Sequence, residues 1–424
     1  MDLVIKKKTS PLKWLYFTSC VLYISGATYW VEIDWLFIPI ALLGLFIFTL
    51  QGCKWDRFII YIFIAFVLLN MFSVLVNGSK FYFNAFAGYF FRIIIPYFLI
   101  KIFNDDFFVY YEKLIYFAAL ISLPLLLFEA YDRHFFMRYF ADINMSNEER
   151  TSVGYWNFFI YTTHGAGKFR PIPLRNDGFA VEPGHFGYLL GIAIFYNLVN
   201  YNFKFNVRLL VMMLAGITTF STTFYLTLIL FLIFYYLNFK VNIGVRIATL
   251  LVAVSVNIYL FTSSIGMEKI ERTSEITENQ FRYGTEDIKK GASLNRFGAM
   301  KMAIINLKGY PMGYGMNEKG RAIARDGEII TGPNGVATFM TVWGIPGLIF
   351  LIFSQFRFVK KLKEKYPAYR GLFLFSLIFL LFMFSNSISR DILVFIILMY
   401  PFIRIESNYV IIKDYYKEPQ PVTA

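Results

Sequence analysis

Cysteine, histidine and charge are all scarce in this chain. Two cysteines, Cys20 in an apolar run and Cys53 in a short polar stretch, build no disulfide framework. Three histidines with no Cys/His spacing leave no metal-binding pattern, so neither a metal nor a cofactor is expected. Charged residues make up 16% of the chain, against roughly a quarter in a soluble domain, while 57% are hydrophobic and 20% aromatic. That balance excludes an ordinary soluble globular domain and places the chain in the membrane class. No small-residue cleavage site follows the first apolar run. The basic start MDLVIKKKTSPLK therefore reads as a retained cytosolic tail, not a removed leader.

What the chain has instead is long apolar runs, each near the ~20 residues that a spanning helix needs. They lie at 14–30, 35–50, 58–76, 84–101, 109–128, 180–199, 207–220, 221–238, 245–262, 335–356, 371–388 and 390–405. The expected fold is an all-α integral membrane protein of about twelve transmembrane helices, a single polytopic domain over 1–424. The run 208–237 is long for one helix and short for two, and the polar TTFSTT at Thr218–Thr223 offers a turn within it. Lysine and arginine alternate from loop to loop, the richest cluster being Arg357–Arg370, and this puts both ends of the chain in the cytosol. The net charge of +13 is then topological, suited to an anionic inner leaflet and not to nucleic acid. Two long segments, 131–179 and 263–334, fall outside the membrane, and 406–424 forms a cytosolic tail. Within the second loop, Lys289–Lys308 has the makings of a helix lying in the headgroup layer, stopped by Gly309 and Pro311.

The densest polar stretch is RPIPLRNDGFAVEPGHFGYLLG, from Arg170 to Gly191, at the lip of a membrane run. Arg170, Arg175, Asp177, Glu182 and His185 crowd within it. Arginine forks suit phosphates, and a carboxylate or histidine can accept a proton from an attacking hydroxyl. The same side chains could instead solvate the interface and cap the helix after Pro183. The second loop offers Arg296 and Lys301, then PMGYG, where Gly313 and Gly315 permit a tight turn beside a ligand or another helix. Asn334 is placed to cap the following helix, with substrate contact as the alternative. Arg92 sits deep in an apolar run, where a charge costs about 2.5–3.5 kcal/mol on insertion scales; an inward role facing a lipid diphosphate or a buried carboxylate is expected. The Ser385-Asn386-Ser387 stretch and the Arg390/Asp391 pair read as a polar turn.

In order along the chain, RNDGFAVEPGHFGYLL, FSTTFYLTLIL, RFGAMKMAIINLKGYPMGYGMN and GPNGVATFMTVWGIPGLIF resemble the O-antigen polymerase and ligase superfamily of bacterial envelope glycosyltransferases (Wzy-type polymerases and their ligase relatives). Together they cover about residues 170–350; the first half of the chain is similar only in hydropathy. The resemblance implies a GT-C-like membrane architecture in the bacterial cytoplasmic (inner) membrane, with two large extracytoplasmic loops. The implied activity joins polyprenyl-diphosphate-linked oligosaccharide repeat units into O-antigen, capsule or exopolysaccharide, without metal. Implied partners are the lipid-linked oligosaccharide, membrane lipids, and flippase and chain-length regulator proteins. On that mechanism Arg175 and Arg296 would meet the leaving diphosphate and Glu182, or second His185, would be the base. Arg92, Arg170, Asp177, Lys301, Gly313, Gly315 and Asn334 would line the substrate path. The ligases commonly carry a histidine where this chain has Pro333, which tilts the resemblance towards polymerase. A ligase and a lipid-linked glycan flippase stand as the alternatives. The polymerase reading requires the two outer loops to meet, with Arg175 and Arg296 on one groove.

Overall fold

The structure, a computed structural model, describes residues 3–6, 10–24, 36–77, 83–132, 135–140, 155–158, 160–164, 174–239, 242–262, 296–315, 322–323, 329–330, 334–389, 391–404 and 409–412. Helices dominate. In order they are α1 (Pro11–Ile24), α2 (Phe37–Leu50), α3 (Arg57–Asn77), α4 (Phe83–Phe103), α5 (Phe107–Tyr131), α6 (Phe135–Phe140) and α7 (Pro183–Asn200). There follow α8 (Val207–Thr218), α9 (Thr222–Asn238), α10 (Ile243–Thr262), α11 (Arg296–Gly309), α12 (Gly335–Lys365), α13 (Leu374–Ser385) and α14 (Ile392–Met399). Three two-stranded pairs complete the described residues. These are β1 (Leu3–Lys6) with β6 (Tyr409–Ile412), β2 (Tyr155–Asn157) with β3 (Thr162–His164), and β4 (Ala322–Ile323) with β5 (Ile329–Ile330), all antiparallel.

Each expected apolar run contains a helix, but the count of twelve full crossings is not supported. Among the described residues, three helical stretches are long and apolar enough to cross a membrane: Arg57–Val76, Phe86–Tyr131 and Gly335–Lys365. Helices α2, α8, α9 and α13 are apolar but shorter, and α14 has 8 residues. At 1.5 Å per residue an 8-residue helix rises only about 12 Å, well short of a ~30 Å hydrocarbon core. The 208–237 run does divide at the expected place: α8 ends at Thr218, Phe220 takes φ 48°, and α9 starts at Thr222. α12 runs beyond the expected end through the basic stretch to Lys365. There the Lys361 ammonium donates to the carbonyls of Tyr400 (2.7 Å) and Ile403 (3.1 Å), which ties this end of α12 to the chain after α14.

Two helices are enclosed by the others. In α7, every residue from His185 to Val199 is buried, and its neighbours are α5, α8, α9 and α13. All eight residues of α14 are buried too, against α4, α12 and α1. A helix that is apolar all round belongs in the middle of a bundle. By contrast α3 leaves Ile60, Tyr61, Ile64, Leu68, Phe72 and Leu75 exposed, as a lipid-facing helix would. The bundle buries a carboxylate that the apolar pattern hides: Glu112 of α5 accepts from Asn197 of α7 (2.7 Å) and lies 3.3 Å from the half-exposed Arg208 of α8. Buried charge is tolerated when it is paired and hydrogen-bonded in this way.

The described part of segment 263–334 does not lie free on a surface. α11 packs Ala299 and Ala303 against Ala337 and Met340 of α12, while Phe297, Ile304 and Ile305 stay exposed. Small residues let the two backbones approach, so α11 docks one face on α12 and leaves an apolar face uncovered. The PMGYG turn then enters a break in α12. Gly344 has φ 61° and ψ −152°, and Pro346 follows, so the helical ladder is interrupted. The turn supplies the missing partners. Tyr314 N–H donates to Thr341 O (2.9 Å), Gly315 N–H donates to Val342 O (3.0 Å), and Ile345 N–H donates to Pro311 O (2.8 Å). Non-helical backbone inside a membrane bundle is tolerated where protein satisfies its polar groups in this way.

Candidate functional site

The ends of α7, α8, α9, α11, α12, α13 and α14 converge at one end of the bundle, and the lip segment 174–182 crosses them. Asn176 anchors it: its N–H donates to Thr218 O (2.9 Å) and its side-chain amide donates to Ser122 Oγ (3.0 Å) and Thr218 Oγ1 (3.1 Å). Gly178 N–H donates to Asn176 Oδ1 (2.9 Å), closing a turn that Gly178 makes at φ 53°. The neighbouring Arg175 is half-buried. Its Nε donates to Thr219 O (3.0 Å) and an Nη to Phe220 O (3.3 Å), two carbonyls left over where α8 ends. Glu182 occupies the N-cap position of α7 with no side-chain capping bond, and it is exposed. Pro183 opens the helix, where a missing N–H costs nothing.

Arg296 arrives from the second segment as the first residue of α11. Its Nε donates to Ser385 O (2.7 Å) at the end of α13. Asn334 fixes its backbone: the amide donates to Arg296 O (2.9 Å), while Oδ1 caps α12 by accepting from Ala337 N–H (2.9 Å). Gly335 N–H donates to Asn386 O (2.9 Å), so the starts of α11 and α12 and the end of α13 are stitched together.

The two arginines share one electrostatic neighbourhood. Burial pulls the Arg175 guanidinium down from its usual value, with Asp177 and Glu182 pushing back. Burial likewise lowers Arg296, with Glu182 raising it and the charge of Arg175 lowering it further. Glu182 therefore feels both cations, and the cations feel each other. Among the described residues, no carboxylate comes within 4 Å of either guanidinium. Each uses some of its donors on backbone carbonyls that hold it in place, and a guanidinium has five. The remaining edges can meet an anion.

The other candidate residues divide into those near this cluster and those that serve packing. His185 is buried on the first turn of α7, its Nε2 2.8 Å from Asp391 Oδ2. Asp391 thus pairs with His185, where the sequence suggested only a polar turn. Arg92 lies between the rings of Phe37 and Tyr89, at 5.3 and 5.4 Å, and its charge acts on Asp391. The inward-facing role expected for it includes a buried carboxylate. Asp177 is fully buried, and its charge acts on Arg175 and Tyr161. Lys301 is half-buried on α11. Gly313 and Gly315 both take positive φ and face protein, namely the break of α12 and Ser73 of α3. Arg170 lies outside the described residues.

One group was not singled out in the sequence. Glu129, buried near the end of α5, accepts from Tyr161 OH (2.7 Å) and Thr163 Oγ1. These bonds tie the β2–β3 pair to the bundle beneath the lip. Burial, then the charges of Glu129 and Asp177, push the Tyr161 phenol far up, so it stays a hydrogen-bond donor. The only signal in the sequence was a glutamate at the end of an apolar run.

Asn334 links cap and site, and its two roles separate by substitution. Asn334→Ala should cost about 1 kcal/mol as a lost N-cap. Asn334→Ser should keep the cap but lose the bond to Arg296 O. Thermal unfolding in detergent should rank wild type and Ser above Ala, whereas any activity of the arginine cluster should fall in both variants. Compared with known protein families, curated proteins and solved structures, the chain finds no match in any of the three.

Proposed function

We propose that this chain is a metal-independent membrane glycosyltransferase that polymerises polyprenyl-diphosphate-linked oligosaccharide repeat units on the outer face of the bacterial cytoplasmic membrane. The observation that carries the reading is that Arg175 and Arg296, from segments far apart in sequence, share an electrostatic neighbourhood with the exposed carboxylate of Glu182. In the reaction, an acceptor sugar hydroxyl attacks the anomeric carbon of the lipid-linked donor glycan. The new glycosidic C–O bond forms as the bond from the anomeric carbon to the diphosphate oxygen breaks. The hydroxyl proton passes to Glu182, and the diphosphate leaves with its negative charge met by the fixed donors of Arg175 and Arg296. His185, held by Asp391, is the second choice as base. Arg92, Arg170, Asp177 and Lys301 belong to the substrate path in this reading, with Gly313, Gly315 and Asn334 shaping it. A polytopic, GT-C-like architecture and cytosolic termini belong to the same proposal. The side-by-side pairing of β1 with β6 supports an even number of passes.

A plasmid copy should restore long glycan chains to cells that lack their own polymerase and carry matching repeat units. Single repeat units only, with the protein present in the membrane, would overturn the reading. One observation favours a second reading, transport of a lipid-linked glycan: the helix break at Gly344 and Pro346 is of the kind transporters use. Purified protein with lipid-linked repeat units separates the two, because a transporter makes no new glycosidic bond. The ligase alternative would show as polymer that accumulates unattached when the protein is lost.

A further inference from the structure

At the end of α14 far from the arginine cluster lies a cavity of about 610 Å³, lined by Lys54, Trp55, Asp56, Arg57, Lys101 and Arg404. Three separate parts of the chain meet there: the turn between α2 and α3, the last turn of α4, and the stretch following α14. Four cationic side chains face one carboxylate. That carboxylate is already engaged, since Asp56 Oδ2 accepts from Arg404 N–H (2.7 Å) and Oδ1 accepts from Phe58 N–H (3.2 Å). Its task is to hold the walls together. Lys101 is buried, and its ammonium donates to Arg404 O (3.2 Å), which fixes a lysine in the wall of the cavity. The exposed Trp55 stacks on Tyr97 at 5.5 Å, and Tyr97 OH accepts from Asp56 N–H (2.7 Å). The concavity is therefore rigid, aromatic on one side and strongly basic.

Cations held together in a concave, partly desolvated site repel one another and concentrate positive potential, which an anion relieves. Arginine forks and lysine ammonium groups are the usual pair for phosphate oxygens. The volume falls within the ~300–1,000 Å³ of small-molecule sites, larger than an inorganic phosphate requires. A tryptophan beside such cations, between helices of a membrane bundle, matches the way phospholipid headgroups are recognised. We propose that this cavity binds a phosphate-bearing anion, carried by an anionic phospholipid or by a soluble phosphate compound. The site is independent of the glycan chemistry proposed above, and neither reading stands or falls with the other.

The test uses the full chain in neutral detergent, titrated with phosphatidylglycerol or phosphatidylcholine and read by native mass spectrometry, with inorganic phosphate as competitor. Wild-type protein should retain phosphatidylglycerol over phosphatidylcholine. At roughly 1 kcal/mol per basic residue, K54Q/R57Q/R404Q should weaken that retention on the order of a hundred-fold. Displacement by inorganic phosphate would assign the site to a soluble phosphate compound, and resistance to it would assign the lipid headgroup. Equal retention of phosphatidylglycerol by wild type and the triple variant would overturn the proposal. Should the triple variant not fold, Arg404→Gln and Arg404→Lys are compared in its place. The first should weaken retention several-fold and the second should not, and equal retention by both overturns the site.

Discussion

Arg296→Ala should reduce the products of a complemented strain from long glycan chains to single repeat units, at unchanged protein level. The expected loss in turnover is about 10²–10³, the effect of removing one fixed donor from a developing oxyanion. Arg175→Ala should match it. If both guanidiniums serve one diphosphate they act as a unit, so the double variant should lose little more than either single variant. Lysine should not rescue Arg296 fully: it keeps the charge but lacks the fork that holds Nε on Ser385 O while other N–H groups face outward. Glu182→Ala should also leave single units, by removing the base. Chain-length distributions on gels read all five variants. Unchanged chains in Arg175→Ala, Arg296→Ala and Glu182→Ala would remove these residues from the reaction.

Gly344→Ala should be the most damaging small substitution for the fold. At φ 61° an alanine is strained by about 1–3 kcal/mol from the backbone alone. Its Cβ would also stand 2.3 Å from Gly313 N and 2.3 Å from Pro311 O, and backbone atoms cannot step aside as a flexible side chain can. Gly313→Ala meets the mirror problem, with φ 78° and a Cβ 2.5 Å from Val342 O. The two glycines interlock, so either change should expel the PMGYG turn from the break in α12. Gly309→Ala is the matched control, having nothing within 4 Å of its added Cβ. Thermal unfolding of the purified protein should show large drops for Gly344→Ala and Gly313→Ala and none for Gly309→Ala. Three equal melting temperatures would rule out the interlock.

What could be read from sequence followed from local chemistry. The TTFSTT break was visible because polar residues interrupt an apolar run, and α8 and α9 part there. Arg175 and Arg296 stood out because charge is rare in this chain, and each has Glu182 as an electrostatic neighbour. Partners separated by hundreds of residues were not legible. Asp391 looked like part of a turn because nothing near it in sequence names His185. The docking face of α11 was hidden because Ala299 and Ala303 are too weakly apolar to dominate a hydrophobic pattern. Crossing number was hard to read for a related reason: apolar composition marks burial as well as lipid contact, and every residue of the apolar α14 is buried in protein.

The pairing of β1 with β6 has a consequence for how the molecule is made. Residues 3–6 are made some four hundred residues ahead of their hydrogen-bonding partners, residues 409–412. At about 5–20 residues per second the first strand waits on the order of a minute for the second. Throughout that time the helices must insert and find one another without the clasp that finally joins the two strands. The clasp therefore closes over a finished bundle and takes no part in assembling it. Dyes placed on β1 and β6 would become neighbours, close enough to report by energy transfer the moment the last strand has docked.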